Sequence, residues 1–196
     1  MPYKNLIFGS SGVIGSEFIN KLDIKNSLFT SRKKPNTHKE IIWKEIDLDK
    51  NHLNKLPKNV ETIFFFASPY YTDKNLKIKD CFKKEFFWVK KIIKNIKCKK
   101  FVFTSSSSIY SINHQIGTYK KKIEKELSSS KIEFIQIWRP FSLIGFNSHA
   151  LSDHFHNVLI KNVVKKKKNK INFQGSINDE RGYSSVVKFC DQVYKK

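Results

Sequence analysis

A doubly wound α/β fold, a parallel sheet with helices on both faces, is what this sequence predicts, and three observations carry the prediction. Short apolar runs rich in β-branched and aromatic residues alternate with helical patterns along the chain. Two of those runs, Thr62-Ile63-Phe64-Phe65-Phe66 and Phe101-Val102-Phe103, are continuous rather than alternating, as expected of parallel strands covered on both faces. Finally, Asn5-Leu6-Ile7-Phe8 runs straight into Gly9-Ser10-Ser11-Gly12-Val13-Ile14-Gly15 and then Ser16-Glu17-Phe18-Ile19-Asn20-Lys21-Leu22. That order is a buried strand, a glycine turn and an amphipathic helix. Three of the chain's seven glycines lie in this turn. Such a turn lets backbone approach a pyrophosphate, and the helix that follows points its free N–H groups at the phosphates. The first expectation is therefore a dinucleotide-binding fold, with residues 9–15 as the cradle.

The elements follow in order. Strands are expected at residues 6–8, 27–30, 41–43, 62–66, 100–104, 134–138 and 171–173. Helices are expected at 15–22, 79–96, 119–128, 153–166 and 185–194. Within the second helix, Phe82, Phe86, Phe87, Val89, Ile92, Ile93 and Ile96 recur at helical spacing and are expected to pack in the core. No internal repeat or low-complexity linker interrupts the pattern. At 196 residues, a single domain over 1–196 is expected, with 17 Phe to fill its core.

Composition removes several classes of function. No run of about eighteen apolar residues exists, so no transmembrane helix is expected. The N-terminus lacks a basic flank followed by a long apolar stretch, so no signal peptide is expected. Cys81, Cys98 and Cys190 are far apart, show no metal spacing, and fit a reducing cytoplasm. The formal charge of +21 comes nearly all from lysine; the arginines are Arg32, Arg139 and Arg181. Base readout and bidentate phosphate clamps favour arginine, so specific nucleic-acid binding is not expected. A solvated lysine surface is, including the run Lys165-Lys166-Lys167-Lys168 at the polar end of a helix. His149, His154 and His156 come without a carboxylate or cysteine pattern, and no metal site is expected from them.

The ends of the strands carry the candidate cofactor residues. The second strand ends in Thr30-Ser31-Arg32-Lys33-Lys34, where dinucleotide folds place an acid that binds the ribose hydroxyls. No acid stands there. Ser31 is a candidate to bond a 2′-phosphate, and Arg32 to pair with it or stack on adenine, which favours NADP(H) over NAD(H) while leaving NAD(H) open. Asp47 and Leu48, after the third strand, are placed to contact adenine; the alternative for Asp47 is a helix N-cap. Phe66, Ala67 and Ser68 end the fourth strand and leave room for the cofactor backbone. A serine run, Thr104 to Ser108, then closes the fifth strand where open α/β sheets bind ligands, or forms a plain polar turn.

Four segments together resemble a known family. The turn Gly9-x-x-Gly12-x-x-Gly15, the segment Phe103 to Tyr110, the segment Arg139 to Gly145, and the tail Phe173-Gln174-Gly175 followed by Arg181 to Val186 are similar, in this order, to the extended short-chain dehydrogenases/reductases of the NAD-dependent epimerase/dehydratase group. The resemblance implies a Rossmann fold, a nicotinamide dinucleotide and a nucleotide-linked sugar as substrate. It implies that Ser106 bonds the substrate oxygen, that a tyrosine exchanges a proton with it, and that a lysine on the same helix assists electrostatically and holds the nicotinamide ribose. Phe141 and Ser142 would lie beside the nicotinamide.

Two departures stand out. The family's tyrosine and lysine are four apart, but four after Tyr119 stands Ile123. Aligning on Lys122-Ile123-Glu124-Lys125-Glu126 makes Lys122 the family lysine and puts Thr118 at the tyrosine position. Either Tyr119 and Lys122 work together, since residues three apart share a helix face, or the phenol is lost. The second departure is length. Extended members continue past the Arg181 segment into a substrate-binding portion, so that portion is expected to be reduced or missing, and the pocket small, open or completed by another subunit. The expectation is a cytoplasmic NAD(P)-dependent epimerase, dehydratase or reductase acting on a nucleotide sugar, with a homodimer through helices 79–96 and 119–128. Its rival is an NADP(H)-binding sensor or degenerate enzyme without redox catalysis.

Overall fold

The computed structural model describes residues 3–50, 52–69, 77–144 and 182–195. Six parallel strands form the sheet: β1 (Asn5–Phe8), β2 (Ser27–Ser31), β3 (Ile42–Glu45), β4 (Asn59–Phe65), β5 (Lys97–Thr104) and β6 (Phe134–Trp138). Their order is β3-β2-β1-β4-β5-β6, so the winding reverses between β1 and β4. A doubly wound sheet opens its ligand crevice at that reversal, outside the carboxyl ends of the strands.

The helices are α1 (Val13–Phe18), α2 (Ile78–Asn95), α3 (Gln115–Ser128) and α4 (Val186–Lys195). They cover both faces of the sheet. One core gathers Leu6, Phe8, Ile63, Phe65, Phe101 and Phe103 beneath α2 and α3. The other gathers Ile7, Phe29, Phe64 and Val102 beneath α1 and α4. Successive residues of one strand thus enter opposite cores, the physical reason why the central runs are apolar without alternation. A separate parallel pair, β7 (Ser142–Ile144) with β8 (Tyr183–Ser185), was not expected from the sequence.

Two expectations need correction. The first helix ends at Phe18 rather than Leu22, because Asn20 N–H and Lys21 N–H bond back only three residues, to Glu17 and Phe18 carbonyls. Phe87 is 59% exposed, not core, because the buried stripe of α2 runs through Cys81, Phe82, Glu85, Trp88, Val89, Ile92 and Ile96, and Phe87 falls off that phase. Leu48, which follows β3, is buried in the α2/α3 core. The expected strand 171–173, helix 153–166, Lys165–Lys168, the three histidines His149, His154 and His156, and the segments around Gly175 and Arg181 lie outside the described residues. Among the described residues, no helix is long and apolar enough to cross a membrane.

Candidate functional site

The glycine turn stands at the winding reversal. Gly9 has φ +83°, a backbone conformation L side chains rarely adopt, and a Cβ there would sit 2.6 Å from the Ala67 nitrogen. The carboxyl ends of β1 and β4 therefore touch through backbone alone. A Cβ on Gly15 would collide with the Gly9 carbonyl, so the third glycine lets α1 close onto the turn. Gly12 differs from both: it is exposed, and a Cβ would meet only the Gly9 oxygen at 3.3 Å. Its missing side chain leaves open space above the turn. Ser11 is exposed beside it, Ser10 is buried, and Val13 and Ile14 pack against the α1/α4 core. A turn that is packed below and bare above fits the approach of a pyrophosphate.

At the end of β2, Ser31 is buried and Arg32, Lys33 and Lys34 are exposed. Ser31 is held inside a hydrogen-bond cluster: its hydroxyl donates to the Lys33 carbonyl at 2.6 Å and accepts from Trp43 Nε1 at 3.0 Å. Ser10 Oγ lies 3.0 Å away. Asp47 closes its own turn, one carboxylate oxygen accepting from Asp49 N–H at 3.1 Å; residues 48–50 that follow are a turn and not a helix. At the end of β4, Phe66 packs edge-on against Phe18, Ala67 is half-buried against Gly9, and Ser68 is half-buried.

The second half of the site forms where β5 meets α3. Ser106 caps the turn at 107–110, accepting from Ser108 N–H at 3.2 Å and Ser108 Oγ at 2.8 Å. Both acceptor positions are used and its own proton is uncommitted among the described residues. Gly117 brings α3 against this turn, since a Cβ would press on the Ser108 carbonyl carbon at 2.8 Å. Tyr119 is half-buried and stacks on Phe82 of α2 at 6.4 Å between ring centroids. Lys122 places its ammonium 5.1 Å from the centre of the Tyr119 ring. Thr118 is exposed and its hydroxyl bonds the His114 carbonyl. Phe141 is exposed, and Ser142 begins β7. Trp138, Arg139, Phe141, Tyr183 and Phe189 line a cavity of about 250 Å³.

Two charged clusters here were not anticipated. Lys120, 6% exposed, bonds Glu85 Oε1 at 2.6 Å and the Thr104 carbonyl at 3.1 Å, tying α3 to α2 and to the tip of β5. Burial pushes the Glu85 carboxyl above its ordinary value, against the pull of Lys120. Glu124 accepts from Ser105 Oγ at 2.5 Å and takes a two-toothed pair from Arg139, whose other nitrogen bonds Tyr110 at 3.2 Å. Burial alone would raise Glu124, but the hydrogen bonds from Arg139 and Ser105 bring it below its ordinary value. Their sequence signal is that Lys120 and Glu124 share the apolar face of α3 with Gly117, Ile123 and Leu127. Among the described residues, no three His, Cys, Asp or Glu side chains are grouped to hold a metal.

Comparison with known proteins adds to this geometry. Residues 5–193 match the family model of the NAD dependent epimerase/dehydratase family. Similar solved structures include MoeE5 in complex with UDP-glucose and NAD (TM-score 0.74, 19% identity, covering 97% of this chain and 70% of that one). The UDP-N-acetylglucosamine 4-epimerase of Methanobrevibacter ruminantium M1, in complex with UDP-N-acetylmuramic acid, is similar too (TM-score 0.76, 17% identity, 97% and 72% covered). So is WbmF of Bordetella bronchiseptica in complex with NAD+ (TM-score 0.74, 10% identity, 98% and 68% covered). At these identities the likeness is one of fold. No match was found among curated proteins.

Proposed function

The chain belongs to the NAD dependent epimerase/dehydratase family, and from that premise we propose that it is a nicotinamide-dinucleotide enzyme acting on a nucleotide-linked sugar, as an epimerase, dehydratase or reductase. The observation that carries the reading is the bare glycine turn at the winding reversal, with a serine at the end of β5 whose hydroxyl proton is uncommitted among the described residues. When bound, the nicotinamide supplies the hydride acceptor or donor. In this reading Gly9, Gly12 and Gly15 let the pyrophosphate approach, and Ser11 faces it. Arg32 with Lys33 and Lys34 offers cations to a 2′-phosphate, which favours NADP(H), and no carboxylate stands at the end of β2 to bind free ribose hydroxyls. Ser106 donates its free proton to the sugar oxygen, Tyr119 exchanges a proton with that oxygen, and Lys122 assists from beside the ring. UDP-sugars in two of the similar structures support the substrate class.

A second reading has its own support. Tyr119 spends one ring face on Phe82, and Thr118 occupies the place four before Lys122. A threonine hydroxyl is too weak an acid to replace a phenol, which favours a cofactor-binding protein without redox catalysis. Turnover decides between them. UDP-sugars are incubated with NADPH or NADH and the wild-type chain or Tyr119→Phe. The enzyme reading expects turnover that drops about 10²- to 10⁴-fold in the variant; no turnover by wild type, with cofactor bound, establishes the sensor reading. Arg32→Asp is expected to reverse a preference for NADPH.

For assembly, the reading is a homodimer through α2 and α3. A groove of about 780 Å³ runs along α2 beside the end of α3, with Phe86, Phe87, Ile93 and Ile132 on its lining among several lysines, and the exposed Phe87 favours a partner surface. The three cysteines are free thiols, in keeping with a reducing cytoplasm. Light scattering tests the dimer, and a monomer at high concentration would remove it.

A further inference from the structure

We infer that Ser31 is a positioning residue that shapes the glycine turn through Ser10, with Trp43 as its anchor, and is not a ligand of the cofactor's 2′-phosphate. The inference rests on the proposed dinucleotide binding and divides its labour between residues. A serine hydroxyl has one proton to donate and two lone pairs to accept with. The Ser31 proton goes to the Lys33 carbonyl at 2.6 Å. One lone pair accepts the Trp43 indole N–H at 3.0 Å. Because the proton is already committed, the 3.0 Å contact with Ser10 makes Ser10 the donor and fills the second lone pair. The hydroxyl is saturated. A phosphate oxygen, which only accepts, finds no proton there.

The same bonds fix the turn. Ser10 is 0% and Ser31 7% exposed, so neither hydroxyl competes with water for its partner. Gly9 N–H and Ser10 N–H both donate to the Thr30 carbonyl, at 2.9 and 3.1 Å. Three bonds, two from backbone and one from a side chain, therefore tie the start of the turn to the end of β2. Trp43 on β3 holds Ser31 from the far side, so the third strand reaches the phosphate cradle through one hydroxyl. Arg32 follows immediately and is exposed. Arg32 reads the 2′ substituent; Ser31 sets the cradle that every pyrophosphate-bearing ligand uses.

The test is calorimetric titration of the full chain with NADPH, NADH and 2′-AMP, which carries the 2′-phosphate but no pyrophosphate. Ser31→Ala is expected to weaken NADPH and NADH by the same factor, about five- to tenfold, with the NADPH/NADH ratio and the 2′-AMP affinity unchanged. Ser31→Thr, which keeps the hydroxyl, restores both dinucleotides. Arg32→Ala does the converse, changing the ratio and weakening 2′-AMP. Trp43→Phe removes the N–H donor, together with part of the ring that packs against the core, and is expected to weaken both dinucleotides equally; it carries the test if Ser31→Ala fails to fold. Loss confined to NADPH and 2′-AMP on Ser31→Ala would make Ser31 a phosphate ligand and overturn the inference, as would no change in any ligand. Equal wild-type affinity for NADPH and NADH would remove the NADP(H) preference alone, leaving an equal loss in both to support the cradle role. Failure of the wild type to bind either dinucleotide would overturn both.

Discussion

Two serine hydroxyls, one at each end of the crevice, show how differently its halves are built. Ser31 has every hydrogen-bonding position filled by neutral partners. Ser106 fills both acceptor positions and, among the described residues, keeps its proton. The glycine-turn half is thus a closed frame that offers backbone and open space to a ligand. The β5/α3 half leaves groups uncommitted and is framed by charge: Glu85, Lys120, Glu124 and Arg139 link α2, α3 and the tips of β5 and β6. Within it, neither Glu85 Oε2 nor Thr104 Oγ1 has a hydrogen-bond partner among the described residues. Neutral, saturated networks suit a site that holds a cofactor in one pose; charged networks with spare capacity suit a site where protons move.

Breaking the charged half should have the largest effect on stability. Lys120→Ala strands Glu85 without its cation in a fully buried position and is expected to lose about 3–5 kcal/mol in urea unfolding. The double change Glu85→Leu with Lys120→Met keeps the packing, removes both charges and should lose far less; an equal loss would mean that the pair's own bonds stabilise the fold, and not merely that a lone charge is costly. Breaking the neutral half comes next. Gly9→Ala meets both a positive φ and the Ala67 backbone and is expected to lose about 1–3 kcal/mol.

The pH dependence sharpens the contrast, because the bonds among Ser10, Ser31, Trp43 and the Lys33 carbonyl involve no titratable group. Glu124 lies below its ordinary 4.5 in the folded chain, so its contribution is fully present above the unfolded value and is lost as pH falls through the folded one. Glu85 is raised and acts with the opposite sign, its contribution fading as pH rises through the folded value. Thermal melts from neutral pH to about pH 3 should therefore fall less steeply for Glu124→Gln than for the wild type. An unchanged slope would separate Glu124 from the acid response. The smallest effect is expected at Asp49, which accepts from Trp88 Nε1 at 2.9 Å between the β3–β4 connection and α2: Asp49→Ala should lose about 1 kcal/mol.

The neutral half was legible in the sequence and the charged half was not, for a physical reason. Glycine spacing and apolar runs are local signals, so residues 5–15 disclosed a strand, a turn and a helix, and the continuous Phe-rich runs disclosed parallel strands. What Ser31 bonds depends on Trp43 and Ser10, contacts made only once β1, β2 and β3 are aligned. Likewise, Lys120 among several lysines looked like solvated surface; only its phase on α3, opposite Glu85, buries it. The pairing of β7 with β8 joins residues about forty apart and has no local signature.

If the bare turn holds a dinucleotide, Gly12 is where a side chain would be felt first. Its φ of −78° is one that side chains adopt, and a Cβ would meet only the Gly9 carbonyl oxygen at 3.3 Å, so Gly12→Val should fold at a cost of about 1 kcal/mol from that contact and the poorer N-cap. Its side chain would nevertheless occupy the space above the turn. Titration with NADPH and NADH should show saturable binding by the wild type and a loss of about tenfold or more in Gly12→Val. Equal binding by the two chains, or none by the wild type, would contradict the account.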